Sequence, residues 1–306
     1  MGWPIPKVDV VQSQSMIARH VSYGVILAAA MLVACGGSGD GATGPSPIPQ
    51  ANSTINYTSI GASDAIGVGA SVFCGPYVDC PEGRGYVQVA ARTLRARGYT
   101  VNQVNLGFPA TVLSRRLQDL GTQYGRVIPG NFVEQQLPYI ARDQTLVTIF
   151  AGANDVETII AALGGGAGAA DQAAYINNQV QLFGQEFSGF VRSVRERAPA
   201  ARVVVVNLPN MAGMPKFAGF PLQHRRAAQM LSVGITKNAI NPLSSTGALV
   251  IDLMCDARSY QSSTYSADGF HPSDTGYAWM AAEVVAATTT EYRAPAASCA
   301  SMTLIS

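Results

Sequence analysis

Residues 203–206 are four consecutive valines, set between Arg202 and Asn207. A side chain branched at Cβ favours extended backbone, and a run with no polar alternation has no face to offer to water. Such a strand must be covered on both sides, as strands inside a parallel sheet are. The apolar run 146–150 has the same character. Around these two, strand candidates at 55–60, 100–105 and 248–252 alternate with stretches of helical spacing at 83–97, 111–120, 131–142, 173–197, 222–240 and 273–292. Ser273, following Pro272, is placed to cap the last of these helices. Strands alternating with helices imply parallel pairing through right-handed crossovers. The expected fold is therefore α/β: a three-layer α/β/α sandwich around a five-stranded parallel sheet of order 2-1-3-4-5.

The first 51 residues do not belong to that pattern. From Met16 the chain reads Met-Ile-Ala-Arg-His, followed by an apolar run at 21–33. A bilayer span needs roughly 20 apolar residues, so the run suits the core of a signal peptide. Met16 is a candidate for the true start. The run closes on Leu32-Val33-Ala34-Cys35, which resembles the lipobox of bacterial lipoproteins, with Cys35 as the lipidated residue. Residues 36–51 are mostly Gly, Ser, Thr and Pro and read as a tether. The expected organisation is a signal peptide at 1–34, a lipidated cysteine and flexible tether at 35–51, and one catalytic domain at 52–306. The expected address is the cell envelope, the outer membrane in a Gram-negative host, or the medium if Cys35 is not lipidated. Four further cysteines remain, Cys74, Cys80, Cys255 and Cys299. An even number in an exported chain points to disulfides. Of the three possible pairings, Cys74–Cys80 closes a short loop and Cys255–Cys299 pins the C-terminal tail.

Composition removes several function classes. The formal net charge is +1 and the only lysines are Lys7, Lys216 and Lys237, so no basic surface for nucleic acid or a membrane is expected. Contact with a membrane is expected only through the anchor on Cys35, and a monomer is expected. The chain has no G-x-S-x-G, S-x-x-K, H-E-x-x-H or Gly-Lys pair, which removes the usual nucleophile elbow, zinc protease and P-loop signatures. The Gly-Ala-rich stretch at 161–170 follows a helical run rather than a strand, so it reads as a loop or frayed helix end and not as a dinucleotide site. After export only His224 and His271 remain. No metal site and no organic cofactor are expected.

The chemistry is expected beyond the strand ends. In an open parallel sheet, sites form outside the carboxyl ends of strands where the strand order reverses. The first strand runs into Gly61-Ala62-Ser63, the second into Asn105-Leu106-Gly107 and the third into Gly152-Ala153-Asn154-Asp155. The order 2-1-3 would bring Ser63, Gly107 and Asn154 together. Ser63 supplies a hydroxyl, while the Ser63 and Gly107 amides and the Asn154 side chain supply three donors for one developing oxyanion. A glycine at 107 would let a substrate approach the backbone closely. Taken singly, each is a common turn residue; three turns together with Asp268-Gly269-Phe270-His271-Pro272 are a less common set. An aspartate three residues before a histidine on a tight turn can hold the imidazole and stabilise its charged form.

This combination resembles the SGNH, or GDSL-type, hydrolases. Ser63 matches the serine of their first block, Gly107 the glycine of the second, Asn154 the asparagine of G-x-N-D, and Asp268 with His271 the D-x-x-H of the last. The similarity runs over about residues 57–290. One departure is plain: the usual G-D-S-L is G-A-S-D here, with Ala62 before the serine and Asp64 after it. The resemblance implies a flavodoxin-like sandwich and a serine esterase or lipase acting on small or polymeric esters through an acyl-enzyme. Asp252, at the end of the fifth strand, is a rival for the acid, and Asp155 reads as structural. Phe73, Phe108, Phe217, Phe220 and Phe270 are candidates for an acyl pocket, residues 211–221 for a mobile flap, and short or medium acyl chains for the substrate. Activity is expected to fall as the histidine takes up a proton on the acid side of neutrality. An O-acyltransferase or deacetylase acting on polysaccharide is the alternative, and a non-catalytic surface binding protein a more distant one.

Overall fold

The computed structural model describes residues 44–306 apart from 79, 291 and 303. The expected signal peptide, Cys35 and most of the tether lie outside the described residues. Five strands, β1 (Thr54–Ile60), β2 (Thr100–Asn105), β3 (Leu146–Phe150), β4 (Arg202–Val206) and β5 (Leu249–Ile251), form one sheet in the order β2-β1-β3-β4-β5. Every pairing is parallel. Thr58 of β1 lies opposite Val104 on one side and Val147 on the other, so β1 is the strand that both β2 and β3 flank. All residues of β3 and β4 are buried, including the four valines, whereas the edge strand β2 alternates and leaves Val104 exposed.

Among the described residues, eight α-helices surround the sheet. α1 (Ser63–Ile66) is a single turn at the end of β1. α2 (Tyr86–Ala96) and α8 (Asp274–Thr289) pack together on one side. On the other side lie α3 (Arg115–Gln123), α5 (Ala153–Gly164), α6 (Gln172–Arg197) and α7 (Leu222–Ile235), while α4 (Phe132–Gln135) is a short turn. α6 shows why such a stretch becomes a helix. Asp171 caps it by accepting from the Ala174 N–H at 2.9 Å. Ile176, Val180, Phe183, Phe187, Phe190 and Val194 then recur at steps of three or four, giving one apolar stripe that is buried. Ser273 caps α8, accepting from the Gly276 N–H at 3.3 Å.

Three helices differ from the sequence expectation. The stretch expected to be helical from 111 starts only at Arg115. Thr111 donates to Phe108 O at 2.7 Å and Val112 bridges to Asn131, so the chain stays extended until Ser114 caps the helix. The stretch expected at 131–142 is helical only over α4 and then tightens to a 3-10 turn, Leu137–Tyr139. Pro138 has no N–H to continue the ladder, and its ring opposes the carbonyl four residues earlier. α8 stops at Thr289 rather than at 292, where three successive threonines turn their hydroxyls back onto carbonyls four residues earlier.

Cys74 is joined to Cys80 and Cys255 to Cys299. In the stretch expected to be a tether, Ser46 donates to Ala201 O at 2.9 Å and its carbonyl accepts from Arg202. Among the described residues no helix is long and apolar enough to cross a membrane.

Phe187 is fully buried and stacks on Phe183 and Phe190 at 5.4 and 6.3 Å. Phe187→Ala is expected to cost about 3–5 kcal/mol, read as a lower urea midpoint at unchanged slope.

Candidate active site

Ser63 opens α1 directly beyond the carboxyl end of β1, and two buried side-chain amides hold the backbone around it. Gln136 accepts from the Gly61 N–H at 3.0 Å and donates back to the Gly61 carbonyl at 2.9 Å. Asn105 accepts from the Ser59 hydroxyl at 2.8 Å and donates to the Ala65 carbonyl at 2.7 Å. Gly67, at φ 80°, then turns the chain out of the helix. With these bonds made, the backbone around the serine is held from both sides.

The histidine is held as firmly. Asp268 Oδ1 accepts from the N–H groups of Phe270 and His271 at 2.8 and 2.9 Å and from the Ser266 hydroxyl at 2.9 Å. Its Oδ2 lies 2.5 Å from His271 Nδ1. Burial acts to raise the Asp268 carboxyl, but these bonds, led by the one from His271, outweigh it and hold the group at about 2. An ionised carboxylate can only accept, so it places a proton on Nδ1 and leaves Nε2 as the acceptor. Nε2 lies 2.9 Å from Ser63 Oγ, across 208 residues of sequence. The structure thus brings Ser63, His271 and Asp268 into one hydrogen-bonded chain. Asp252 is occupied elsewhere, accepting from Asn207 Nδ2 at 3.0 Å and from the amides of Cys255 and Ala296. The ring contacts of His224 are with Phe217 and Phe220.

Asn154 lies in the first turn of α5, after Gly152 at φ 113°. Its Nδ2 donates to the Thr111 carbonyl at 3.0 Å, which uses one amide hydrogen and orients the group. Gly107 makes two contacts of its own. Its N–H donates to Asn105 Oδ1 at 3.0 Å, so it is already engaged. A Cβ there would lie 2.5 Å from Ala65 Cβ and 3.0 Å from the Ala62 carbonyl. Glycine at 107 is thus required for packing against the turn that carries Ser63.

The sequence residues next to Ser63, Asn154 and His271, namely Asp64, Ala153 and Phe270, line one cavity, whose walls include Leu208, Met214 and Trp279. Asp64 therefore stands on the wall of an otherwise largely apolar space. Burial pushes its carboxyl up, and the nearby His271 opposes that shift. Of the candidate pocket phenylalanines, Phe270 lines this cavity, Phe217 is in the core, and Phe73, Phe108 and Phe220 are exposed. The segment expected to be a flap is packed over its first half. Met211, Ala212, Met214 and Phe217 are buried because two 3-10 turns fold them inward. Gln136 and Asn105 carried no signal in the sequence beyond, for Asn105, a place at the end of a strand.

Residues 60–279 match the family model described as the GDSL-like lipase/acylhydrolase family. The chain belongs to that family, and is a carboxylic ester hydrolase. Two solved structures share the fold. The lipase Lip_vut3 from a goat rumen metagenome is 19% identical, with 78% of this chain and 99% of that one covered at a TM-score of 0.53. The extracellular lipase from Streptomyces rimosus is 17% identical, with 77% and 100% covered at 0.52. No curated protein matches the hydrolase.

Asp155 ties the loops of the hydrolase together, accepting from the amides of Leu113 at 2.8 Å and Gly152 at 3.1 Å. Burial nevertheless pushes its carboxyl up to about 6. A carboxyl that binds its proton more tightly in the folded than in the unfolded state weakens the fold as pH rises between those two values. The penalty is absent below about pH 4 and complete above about pH 6. Asp155→Asn loses one acceptor and also this penalty. Its deficit against wild type should therefore shrink by on the order of 2–3 kcal/mol between pH 4 and 7, measured by urea denaturation at each pH.

Proposed function

We propose that the hydrolase is a serine esterase that works through an acyl-enzyme, with Ser63 as nucleophile, His271 as general base and acid, and Asp268 as the carboxylate orienting the imidazole. The observation that carries this reading is the unbroken chain from Asp268 Oδ2 through His271 to Ser63 Oγ, with spans of 2.5 and 2.9 Å. His271 Nε2 takes the Ser63 proton as Oγ attacks the ester carbonyl. The proton then passes to the leaving alcohol, and a water activated by the same nitrogen releases the acid.

The oxyanion is received by the Ser63 N–H, one of the opening amides of α1 that has no acceptor within its helix, and by the second Asn154 amide hydrogen. Gly107 is the third donor, provided its N–H shares its hydrogen with Asn105. Asp268 is held at about 2, so the carboxylate that orients the imidazole stays charged across the neutral range.

The substrates are carboxylic esters of short or medium acyl chains, small or polymeric. The two disulfides support export, and the proposal extends to anchoring through Cys35 after cleavage of residues 1–34.

A fluorophosphonate probe should label wild type at Ser63 and leave Ser63→Ala unlabelled, and the variant should lose turnover of p-nitrophenyl esters from C2 to C16. Labelling at another residue would overturn the assignment. Asn154→Ala should keep the label site and lower kcat by about 10²–10³-fold. In a bacterial host, wild type should incorporate radiolabelled palmitate and sediment with membranes, whereas Cys35→Ser should do neither.

A further inference from the structure

Ser63 and His271 are distant in sequence, and their 2.9 Å separation must be set by something that ties their loops together. The chain leaving the nucleophile turn provides the tie. After α1 ends at Gly67, residues 68–71 cross to the start of α8, the helix that begins just after His271. Three contacts hold them there. Tyr277, fully buried on α8, donates its hydroxyl to the Val68 carbonyl at 2.7 Å. Ser71 donates twice to the Asp274 carboxylate, its N–H to Oδ1 at 2.7 Å and its hydroxyl to Oδ2 at 2.6 Å. Gly69, at φ 94°, lies so close to the histidine loop that a Cβ would be 2.7 Å from His271 Cβ and 2.8 Å from the Pro272 carbonyl.

The near end of this strap is bonded to the serine itself, the Val68 N–H donating to the Ser63 carbonyl at 3.0 Å. Its far end is held by Cys74, whose N–H donates to Ile66 O at 2.8 Å and whose sulfur is bridged to Cys80. Ser71 and Asp274 are therefore the point at which a loop anchored on the nucleophile turn is bonded to the helix that carries the histidine loop. The two hydrogen bonds from Ser71 hold the Asp274 carboxyl below its ordinary range, so the contact stays charged across neutral pH.

We propose that residues 68–71 act as a clamp that sets the distance between nucleophile and base, with Ser71 and Asp274 as positioning residues for ester hydrolysis. The proposal rests on the assignment of Ser63 and His271 made above. Its consequence is a loss confined to the chemical step. A serine and an imidazole that drift apart by a fraction of an ångström still bind substrate, but the proton transfer suffers, and a misplacement of about 1 Å can cost roughly 10²-fold.

Ser71→Ala and Asp274→Ala should each lower kcat by about 10–100-fold with KM and melting temperature unchanged, and should slow fluorophosphonate labelling in parallel. The double variant should be no worse than the more impaired single variant, since both remove one contact. Asp274→Asn should restore most of the rate. Its amide oxygen can accept from the Ser71 N–H while its amide nitrogen donates to the Ser71 hydroxyl. Losses that add in the double variant, or a lowered melting temperature with normal kcat, would overturn the clamp. Ser63→Ala measured alongside separates the two claims. If it is inactive while Ser71→Ala and Asp274→Ala keep wild-type kcat, the clamp alone is wrong. If Ser63→Ala stays active, the serine assignment fails and the clamp with it.

Discussion

Parallel pairing on both sides of β1 is the constraint from which the site follows. In a parallel sheet all the carboxyl ends lie along one edge, and β2-β1-β3 order puts the loops after β2 and β3 on either side of the loop after β1. Those loops carry Gly107, Ser63 and Asn154. The sheet reaches this order because β3 and β4 are apolar on both faces and must lie inside it, whereas β2 tolerates an edge. The residues that would do chemistry are thus gathered by the burial of valines, isoleucines and leucines some distance away. The histidine loop arrives separately, on α8, and needs its own means of alignment.

What was legible in the sequence reflects what local physics controls. A strand buried on both faces can be recognised from its own residues, so the strand cores at 146–150 and 202–206 stand out without any partner in view. Helix starts were less visible where a remote contact competes. Residues 111–113 run directly into a stretch of helical spacing but are held extended by the bridge from Val112 to Asn131, a contact no local pattern reveals. The end of the turn at 132–135 was readable in principle, from Pro138, and the apolar spacing obscured it.

In the candidate site the same division holds. Ser63, Asn154, Asp268 and His271 could be located because each sits at a strand end or within a short spacing that has a chemical reason. Gln136 and Asn105 could not. A side-chain amide bonded to backbone 75 residues away, as Gln136 is to Gly61, leaves no periodicity and no spacing behind. The same is true of Asp64. Its place after the serine was plain, but that it stands on the wall of an apolar cavity depends on Leu208, Met214 and Trp279, which reach it from two other parts of the chain.

Gly107 shows how an apparently simple motif residue can serve two demands. A buried N–H must be paired in the resting protein, and Asn105 Oδ1 meets that need while also accepting from Ser59. The same Asn105 donates to the carbonyl of Ala65, inside α1. Any shift of the Gly107 amide towards a substrate oxygen is therefore coupled to the turn that holds Ser63. Removing the glycine's freedom by adding a Cβ would press on Ala65 and Ala62 of that same turn. The Gly107 amide and Ser63 are in this way parts of one packed unit, and under the proposed mechanism that is the arrangement electrostatic preorganisation requires: dipoles held in place by the fold rather than recruited at the moment of reaction.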